Sequence, residues 1–363
     1  NLYKFGTPDQ IHKYFEKIRK GQLYGLGFTD ENKSGSSIDM ESNFTKSYLT
    51  FSKRFQGISG YDLLVFALQE NNPAILGLFV VAQRDITSEI IHTEGLRRIR
   101  YALNSGHVPM SQVDQIVILN TRRDLARIQQ IFTDSRLGFP GMSLGQLELL
   151  ERLAREYSEN RLIGTTLQKD MAVPQRELES ITARRIIIQA IYEHSIAFLD
   201  QNPDTLRLAA VASMIKALST EYALLAALTT AKLGGGDSFT AGTKLSLVND
   251  VWPFTIFEGN NDMLYSQAGR SFARSLLYDR ELPGGLFDRS RAAQNLFPES
   301  KIVIDRLTAV TKNIELENLW GQIAARCLAL GCLDKDRLDT RDYTLATELL
   351  NLEIQQLGLS SVT

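Results

Sequence analysis

A single carboxylate, Glu258, is the residue of this sequence whose surroundings most favour proton-transfer chemistry. It lies in the segment N-D-V-W-P-F-T-I-F-E-G-N-N-D-M-L-Y, residues 249–265, between an apolar run and Gly259. Apolar surroundings destabilise the charged form of a carboxylate and raise its pKa towards the range in which a base can accept and return a proton. We therefore predict that Glu258 is a catalytic base. The alternative is an ordinary loop with a solvated carboxylate, and the E-G dipeptide alone does not exclude it.

The residues before this segment predict four consecutive helices that would position it. Four stretches between residues 121 and 230 carry apolar residues at i, i+3, i+4 and i+7, and Gly, Pro or Asp separates them. Their sequences are L-A-R-I-Q-Q-I-F-T-D-S-R, M-S-L-G-Q-L-E-L-L-E-R-L-A-R-E-Y-S-E-N-R, P-Q-R-E-L-E-S-I-T-A-R-R-I-I-I-Q-A-I-Y-E-H-S-I-A-F-L-D and T-L-R-L-A-A-V-A-S-M-I-K-A-L-S-T-E-Y-A-L-L-A-A-L. Four such helices in a row predict an antiparallel bundle.

A different pattern fills residues 22–117, where β-branched and aromatic runs alternate with glycine and asparagine. The runs are L-Y-G-L-G-F-T, K-S-Y-L-T-F, Y-D-L-L-V-F-A-L and I-L-G-L-F-V-V-A. They predict a small antiparallel β domain. Before it, residues 7–20 predict a helix with Thr7 as N-cap, Pro8 at its first position and Gly21 beyond its end. After residue 280, L-P-G-G-L-F-D marks a break, and two or three further helices follow.

Composition narrows the class of protein. A chain of 363 residues, 44% of them hydrophobic, is long enough for two domains. A net charge of −2 gives no basic field for nucleic acid. No apolar run approaches the roughly 20 residues of a membrane helix, so we predict no membrane span. The two cysteines are too few for a disulfide framework and the scattered histidines form no ligand cluster, which favours a cytoplasmic protein without a metal site.

Several motifs resemble those of the acyl-CoA dehydrogenase family. I-F-E-G-N-N-D-M around Glu258 resembles the family's I-Y-E-G-T-x-E-I signature, and the upstream G-G-G and N-D fit its G-G and R-D landmarks. G-Q-L-Y-G-L-G-F-T-D-E-N-K-S-G-S-S is similar to G-x-L-x-G-x-x-x-x-T-E-P-x-x-G-S-D, and F-T-D-S-R to F-D-x-x-R. The resemblance runs over residues 5–278. It implies an α+β fold, with a small antiparallel β domain followed by a C-terminal four-helix bundle and an extra helical extension.

The resemblance also suggests how the chain is divided. Residues 1–21 match a helix that follows an N-terminal helical domain in full-length members, and we interpret them as the remnant of that domain. The β domain then covers residues 22–120 and the helical bundle residues 121–280. The C-terminal extension, residues 281–363, is similar in placement to extra helices of larger members, and we expect it to serve packing or dimerisation.

Roles for individual residues follow from the same resemblance. Glu258 would remove the α-proton of an acyl thioester, while Phe132 and Arg136 would line the channel for its pantetheine arm. A guanidinium suits this task because its planar fork offers paired donors with a fixed charge. Residues for the FAD cofactor are implied in both halves of the chain. They are Thr29, Ser36, Phe55, Arg161, Gly234, Gly235 and Asn260.

The main functional hypothesis is therefore an FAD-dependent flavoenzyme that dehydrogenates an acyl-CoA or a carrier-protein-bound acyl thioester. The resemblance implies a homodimer or homotetramer, and an electron-accepting flavoprotein as partner of a dehydrogenase. The alternative is a flavin-free relative that binds an acyl thioester as a scaffold, or that uses Glu258 for proton transfer without redox chemistry. A flavin oxidase of the same fold is a third possibility, suggested only by the C-terminal extension.

Overall fold

The computed structural model describes residues 5–32, 39–57, 61–96, 99–201, 208–240, 242–243, 245, 247–277 and 314–360. They fall into two compact units, residues 1–131 and residues 132–363. The predicted first helix of the extension, within residues 301–310, lies outside the described residues, as does Ser36.

The first unit begins with helix α1, Pro8–Arg19, and continues as a sheet. Helix α1 starts with the predicted capping, because Thr7 and Gln10 form a reciprocal capping box and Pro8 occupies the first turn. The sheet strands are β1 (Leu23–Gly27), β2 (Asn43–Phe44), β3 (Tyr48–Gly57), β4 (Tyr61–Gln69), β5 (Asn72–Val81), β6 (Thr87–Ile91), β7 (Tyr101–Pro109) and β8 (Asp114–Asn120).

Most strand pairs of this sheet are antiparallel, as the sequence predicts. The strand order is β6-β7-β3-β2-β4-β5-β8, with β1 paired to β4 off this path. Two pairings, β1 with β4 and β2 with β4, are parallel, so the sheet is mostly rather than entirely antiparallel. Strand β3 carries an irregularity between Lys53 and Gln56, where Phe55 has a φ of 68°. Such a bulge turns the intervening side chains out of the regular alternation.

A buried ion pair connects β3 to the loop after β1. The Lys53 ammonium lies 2.6 Å from the Asp30 carboxylate, and both side chains are almost fully buried. The same carboxylate accepts hydrogen bonds from the backbone N–H of Glu41 and from the Ser42 hydroxyl, at 2.6 and 2.5 Å. Because every charge here has a partner, the pair fixes the path of the loop without leaving an uncompensated buried ion.

The second unit is helical. Its longer helices are α2 (Leu125–Asn160), α3 (Ala172–Gln201), α4 (Ala209–Gly234), α6 (Asn261–Leu277), α7 (Ile314–Cys332) and α8 (Thr340–Ser360), with the single turn α5 (Val248–Val251) before the Glu258 segment. The boundary between the units falls inside the range of α2. The prediction of two separate helices over residues 125–161 is wrong: α2 runs 36 residues through Pro140. A proline removes one helical hydrogen bond, and packing on both sides of it can still hold the helix together.

Helix α4 is the centre of this unit. Most of the described core residues of its helices form one cluster, and α4 contributes many of them. The stretch Ala209–Phe239 is apolar and long enough to cross a membrane, contrary to the sequence-based prediction that no such run exists. However, 78% of its most apolar window is buried inside the structure, so its apolar side chains are covered by neighbouring helices.

The C-terminal helices α7 and α8 are part of the same core. Arg326 on α7 is buried, and its guanidinium pairs with Glu221 on α4 and Glu353 on α8, each at 2.7 Å. The hydroxyl of Tyr222 donates to Glu353 at 2.7 Å, and that of Tyr265 to Glu221 at 2.5 Å. The extension is therefore connected to α4 and α6 by a saturated polar network as well as by apolar packing.

Candidate functional site

Glu258 lies on a tight turn between helices α5 and α6. Its φ is 57° and that of Gly259 is 108°, so two consecutive residues occupy the left-handed half of conformational space. For a non-glycine residue this conformation costs about 1–3 kcal/mol, and it persists only where the surroundings enforce it. A Cβ atom at Gly259 would lie 3.0 Å from Leu264 and 3.4 Å from Arg136, so the second position also requires glycine for space.

The Glu258 carboxylate is withdrawn from solvent. Its Oε2 atom is buried and, among the described residues, has no hydrogen-bond partner. Burial raises the pKa of Glu258, while a hydrogen bond from Ser135 and the nearby charges of Arg136 and Lys216 oppose that rise. A buried acceptor with one unpartnered oxygen and a raised pKa has the properties of a general base. The carboxylate is thus desolvated, and its role as a catalytic base stays a prediction.

Arg136 contacts the turn from helix α2. Its Nε donates to the carbonyl oxygen of Glu258 at 2.9 Å, and its Nη1 donates to the Ser213 hydroxyl on α4 at 3.2 Å. The guanidinium lies 5.8 Å from the centre of the Phe132 ring. The structure therefore brings Phe132, Arg136 and Glu258 together in one unit, as the resemblance implies. Their roles in substrate binding stay predictions.

A second cation, which the sequence analysis missed, contacts the next carbonyl. Lys216 on α4 is fully buried, and its Nζ donates to the carbonyl oxygen of Gly259 at 2.8 Å and to Asn261 Oδ1 at 2.9 Å. Burial and the charge of Arg136 lower the pKa of Lys216 to about 7, against an opposing effect of Glu258. The missed signal was a lysine inside the apolar run S-M-I-K-A-L, where a charged residue is rarely buried without a specific partner.

This buried lysine predicts a pH-dependent stability. The unfolded chain holds the Lys216 proton up to its ordinary pKa near 10.5, whereas the folded chain releases it near pH 7. Between these values the unfolded state binds more protons, so the free energy of unfolding rises with pH. Relative to Lys216→Met, we expect the wild type to gain about 2 kcal/mol between pH 7 and 9, measured by chemical denaturation. Lys232→Met, an exposed lysine on the same helix, is the control and should follow the wild type. Equal pH slopes for wild type and Lys216→Met would contradict the expectation.

Three residues assigned to FAD by resemblance lie close together at the other end of α4. Arg161 follows α2, and its guanidinium is 4.0 Å from the position that a Cβ atom of Gly235 would take. The Tyr157 hydroxyl oxygen lies 3.0 Å from the carbonyl oxygen of Gly234. A groove of about 680 Å³ opens beside them, within the size range of small-molecule sites. It is lined by Leu153, Glu156, Tyr157, Asn160, Arg161 and Asp237, among others.

The donors of this groove suit the phosphate-bearing part of a nucleotide, because Arg161 offers a guanidinium and Tyr157 a hydroxyl. Gly235, with a φ of 54°, adds a backbone turn without a side chain. One feature opposes an anion: the carboxylate of Asp237 lies 3.2 Å from Arg161 Nη1 and accepts from the Tyr157 hydroxyl at 2.6 Å. The Arg161 guanidinium is therefore a suitable donor to a phosphate, but the Asp237 carboxylate competes with the phosphate for Arg161 and Tyr157.

The other residues assigned to FAD have varied surroundings. In the first unit, the carbonyl of Thr29 accepts from the backbone N–H of Arg54 at 2.9 Å. Phe55 exposes its ring in the β3 bulge, with the Arg54 guanidinium 5.3 Å from the ring centre. In the second unit, exposed Asn260 accepts from the backbone N–H of Asp262 at 2.9 Å, at the start of α6. Asn260 does not line the Arg161 groove of the same unit, and the cofactor roles of Thr29, Phe55 and Asn260 stay predictions.

Comparison with known proteins finds a family model that matches part of the chain. Residues 125–273 match the family model described as acyl-CoA dehydrogenase, C-terminal domain. This range includes Phe132, Arg136, Lys216 and Glu258. No sequence among curated proteins matches the chain.

Solved structures share the architecture at low identity. An acyl-CoA dehydrogenase from Bacillus anthracis, complexed with FAD, matches with a TM-score of 0.72 and 14% identity over 98% of this chain and 71% of that one. Butyryl-CoA dehydrogenase from Megasphaera elsdenii matches with a TM-score of 0.64 and 17% identity, over 75% of this chain and 73% of that one. Glutaryl-CoA dehydrogenase from Mycobacterium smegmatis matches with a TM-score of 0.63 and 16% identity, over 75% of this chain and 71% of that one.

A mostly antiparallel sheet unit followed by a helical unit is the fold of these dehydrogenases, and the predicted fold class is confirmed. The resemblance is confirmed as well: residues 125–273 match the C-terminal domain model of the acyl-CoA dehydrogenases, and the solved structures above share the fold.

Proposed function

We propose that this chain catalyses α,β-dehydrogenation of an acyl thioester, with Glu258 as the base that removes the α-proton. The observation that carries the proposal is the buried, unpartnered Oε2 of Glu258 on a turn held by two cations. The α C–H proton would move to Oε2, and the electron pair of that bond would form the new α,β double bond. FAD, when bound, accepts the hydride that leaves the β-carbon.

The residues around Glu258 suit this step. Arg136 and Lys216 bring positive charge to the side of the carboxylate, which favours an anion developing nearby and opposes the rise in the pKa of Glu258. We infer that Phe132 and Arg136 contact the thioester arm. Acyl-CoA and acyl-carrier-protein thioesters present the same reacting atoms, so either substrate class is compatible with this chemistry.

Isotope exchange tests the proposal without depending on the electron acceptor. Purified protein is incubated with butyryl-CoA in deuterated buffer, and uptake of deuterium at the α-carbon is followed by mass spectrometry. We expect exchange well above the rate without protein. Formation of the α,β-unsaturated thioester with an artificial electron acceptor, after addition of FAD, measures the complete reaction. Absence of both activities would contradict the proposal.

One observation favours the second candidate, a flavin-free relative that uses the same site for binding or proton transfer. The Asp237 carboxylate already forms an ion pair with the Arg161 guanidinium. A diphosphate that binds Arg161 would have to displace this carboxylate and would still be repelled by its negative charge. If the protein is colourless as purified and gains no flavin absorbance with added FAD, this candidate replaces the dehydrogenase.

The Asp237 carboxylate makes a quantitative prediction for flavin affinity. Asp237→Asn removes the competing charge and leaves Arg161 free to meet a phosphate, so we expect FAD to bind about three- to tenfold more tightly. Fluorescence titration of apoprotein with FAD measures the dissociation constant. The control, Asp336→Asn, removes one exposed charge from the loop before α8 and should leave the affinity unchanged. An unchanged or weaker affinity of Asp237→Asn would show that Arg161 does not receive the diphosphate.

A further inference from the structure

Two cations from two helices, partly exposed Arg136 and buried Lys216, bind two successive carbonyl groups of the Glu258 turn. Arg136 on α2 donates to the carbonyl of Glu258, and Lys216 on α4 donates to the carbonyl of Gly259. Both residues of the turn have positive φ, and Glu258 is not a glycine. A conformation of this kind needs external contacts that enforce it. The two hydrogen bonds are such contacts.

We propose that Lys216 is the positioning residue of the proton-transfer site: it fixes the turn that carries Glu258 and places a positive charge beside its carboxylate. The inference rests on the proposed function, because it assigns a role in the reaction of Glu258. Lys216 does not itself exchange protons with the substrate. It acts through the geometry of the turn and through the ionisation of the base.

The surroundings of Lys216 support a role beyond packing. Its Nζ is fully buried in the middle of the most apolar helix, a location where a lysine destabilises the fold unless its charge is compensated. Its charged neighbours are Arg136 and Glu258, and Phe139 lies under Nζ at 5.5 Å from the ring centre. A methionine would fill this volume without desolvating a charge. The charge is therefore explained by the turn and the carboxylate that it contacts.

Asn261 extends the contact of Lys216 into helix α6. Its Oδ1 accepts from Lys216 at 2.9 Å, and its Nδ2 donates to the carbonyl of Ala217 at 3.0 Å and to the Thr220 hydroxyl at 3.1 Å. Because Ala217 and Thr220 lie on α4 with Lys216, the first turn of α6 is hydrogen-bonded to one helical surface. Lys216 thus reaches both sides of Glu258: its own turn and the helix that follows it.

The experiment measures α-hydrogen exchange of butyryl-CoA in the full-length protein as a function of pH. Lys216→Met removes the charge and both hydrogen bonds at similar length, whereas Lys216→Gln keeps a donor without the charge. In the wild type, the exchange rate should rise with pH as Glu258 ionises. In Lys216→Met we expect a loss of tenfold or more, and a midpoint moved to higher pH because a cation no longer favours the ionised carboxylate. In Lys216→Gln the pH midpoint should move up in the same way, and the exchange rate should fall by a smaller factor. Lys232→Met, on the same helix, should match the wild type.

Each result has one interpretation. If Lys216→Met has the exchange rate and the pH midpoint of the wild type while Glu258→Gln has lost exchange, the inference about Lys216 is overturned and the proposed function is not. Wild-type exchange in Glu258→Gln would overturn the proposed function and the inference together. A slower rate with an unmoved midpoint in both lysine variants would identify a merely structural lysine and also overturn the inference. If Lys216→Met fails to fold, the midpoint of Lys216→Gln decides.

Discussion

Glu258→Gln is expected to reduce α-hydrogen exchange and dehydrogenation by on the order of 100-fold or more, because a general base normally contributes at least that factor. The substitution replaces the oxygen that would accept the proton by an amide, which is not a base at neutral pH. It keeps the length and shape of the side chain. The left-handed backbone of the turn is likewise unchanged, since the hydrogen bonds from Arg136 and Lys216 are accepted by its backbone carbonyl oxygens and not by the Glu258 side chain.

Stability should move in the opposite direction. Burial raises the pKa of Glu258, so ionisation of this carboxylate disfavours the folded state above its ordinary pKa near 4.5. A neutral amide removes that penalty at neutral pH. We therefore expect Glu258→Gln to unfold at the same temperature as the wild type or above it. A function lost without any loss of stability separates a catalytic role from a structural one.

Kinetics with a range of butyryl-CoA concentrations, together with thermal unfolding, measure both effects. Glu348→Gln, an exposed glutamate on α8, is the control for the loss of one charge and should retain full activity. If Glu258→Gln keeps a tenth of the wild-type rate, another group removes the proton and the assignment is wrong.

The burial of the Glu258 carboxylate and the start of α1 can be predicted from residues that are close by in the sequence. Glu258 follows an apolar run and precedes a glycine, and the structure places its Oε2 in a buried position. Thr7 and Pro8 define the start of α1 through local capping alone. Such features depend on neighbours within a few residues, so a single sequence is sufficient to find them.

Other features depend on contacts between distant segments. Lys216 is 43 residues from Gly259, and nothing in the local pattern of α4 pairs it with that carbonyl. Asp237 lies 76 residues from Arg161, and no local pattern predicts that its carboxylate enters a groove assigned to a phosphate. The continuity of α2 through Pro140 is also tertiary, because a proline in a helical pattern ordinarily predicts a break.

Gly321→Ala is expected to destabilise the protein by about 3 kcal/mol or more, the upper range for overpacking in a rigid core. Gly321 on α7 faces α6 so closely that a Cβ atom would lie 2.0 Å from the carbonyl oxygen of Tyr265. Gly269 on α6 makes the reciprocal approach, with its Cβ position 1.9 Å from the carbonyl oxygen of Glu317. Because the obstacle is backbone in both cases, a rotamer change cannot relieve it, and the two helices have to separate.

Gly331→Ala, on the same helix, is the control, and its effect on the free energy of unfolding should have the opposite sign. A Cβ atom at Gly331 meets nothing within 4 Å, so Gly331→Ala should stabilise α7 by up to about 1 kcal/mol through helix propensity. Thermal unfolding followed by circular dichroism compares the two variants, and we expect Gly321→Ala to melt roughly 6–10 °C below the wild type. Equal melting temperatures for Gly321→Ala and Gly331→Ala would show that α7 does not pack against α6 at this distance.

The same substitution should also affect the site. Helix α6 begins at Asn261, which Lys216 contacts, and Tyr265 lies one turn further along it. A shift of α6 away from α7 would therefore move the residue that follows the Glu258 turn. We expect Gly321→Ala to lower the rate of α-hydrogen exchange at temperatures where the protein is still folded, whereas Gly331→Ala leaves the rate unchanged. If Gly321→Ala is destabilised but exchanges the α-hydrogen at the wild-type rate, the C-terminal helices contribute to stability and not to the geometry of the site.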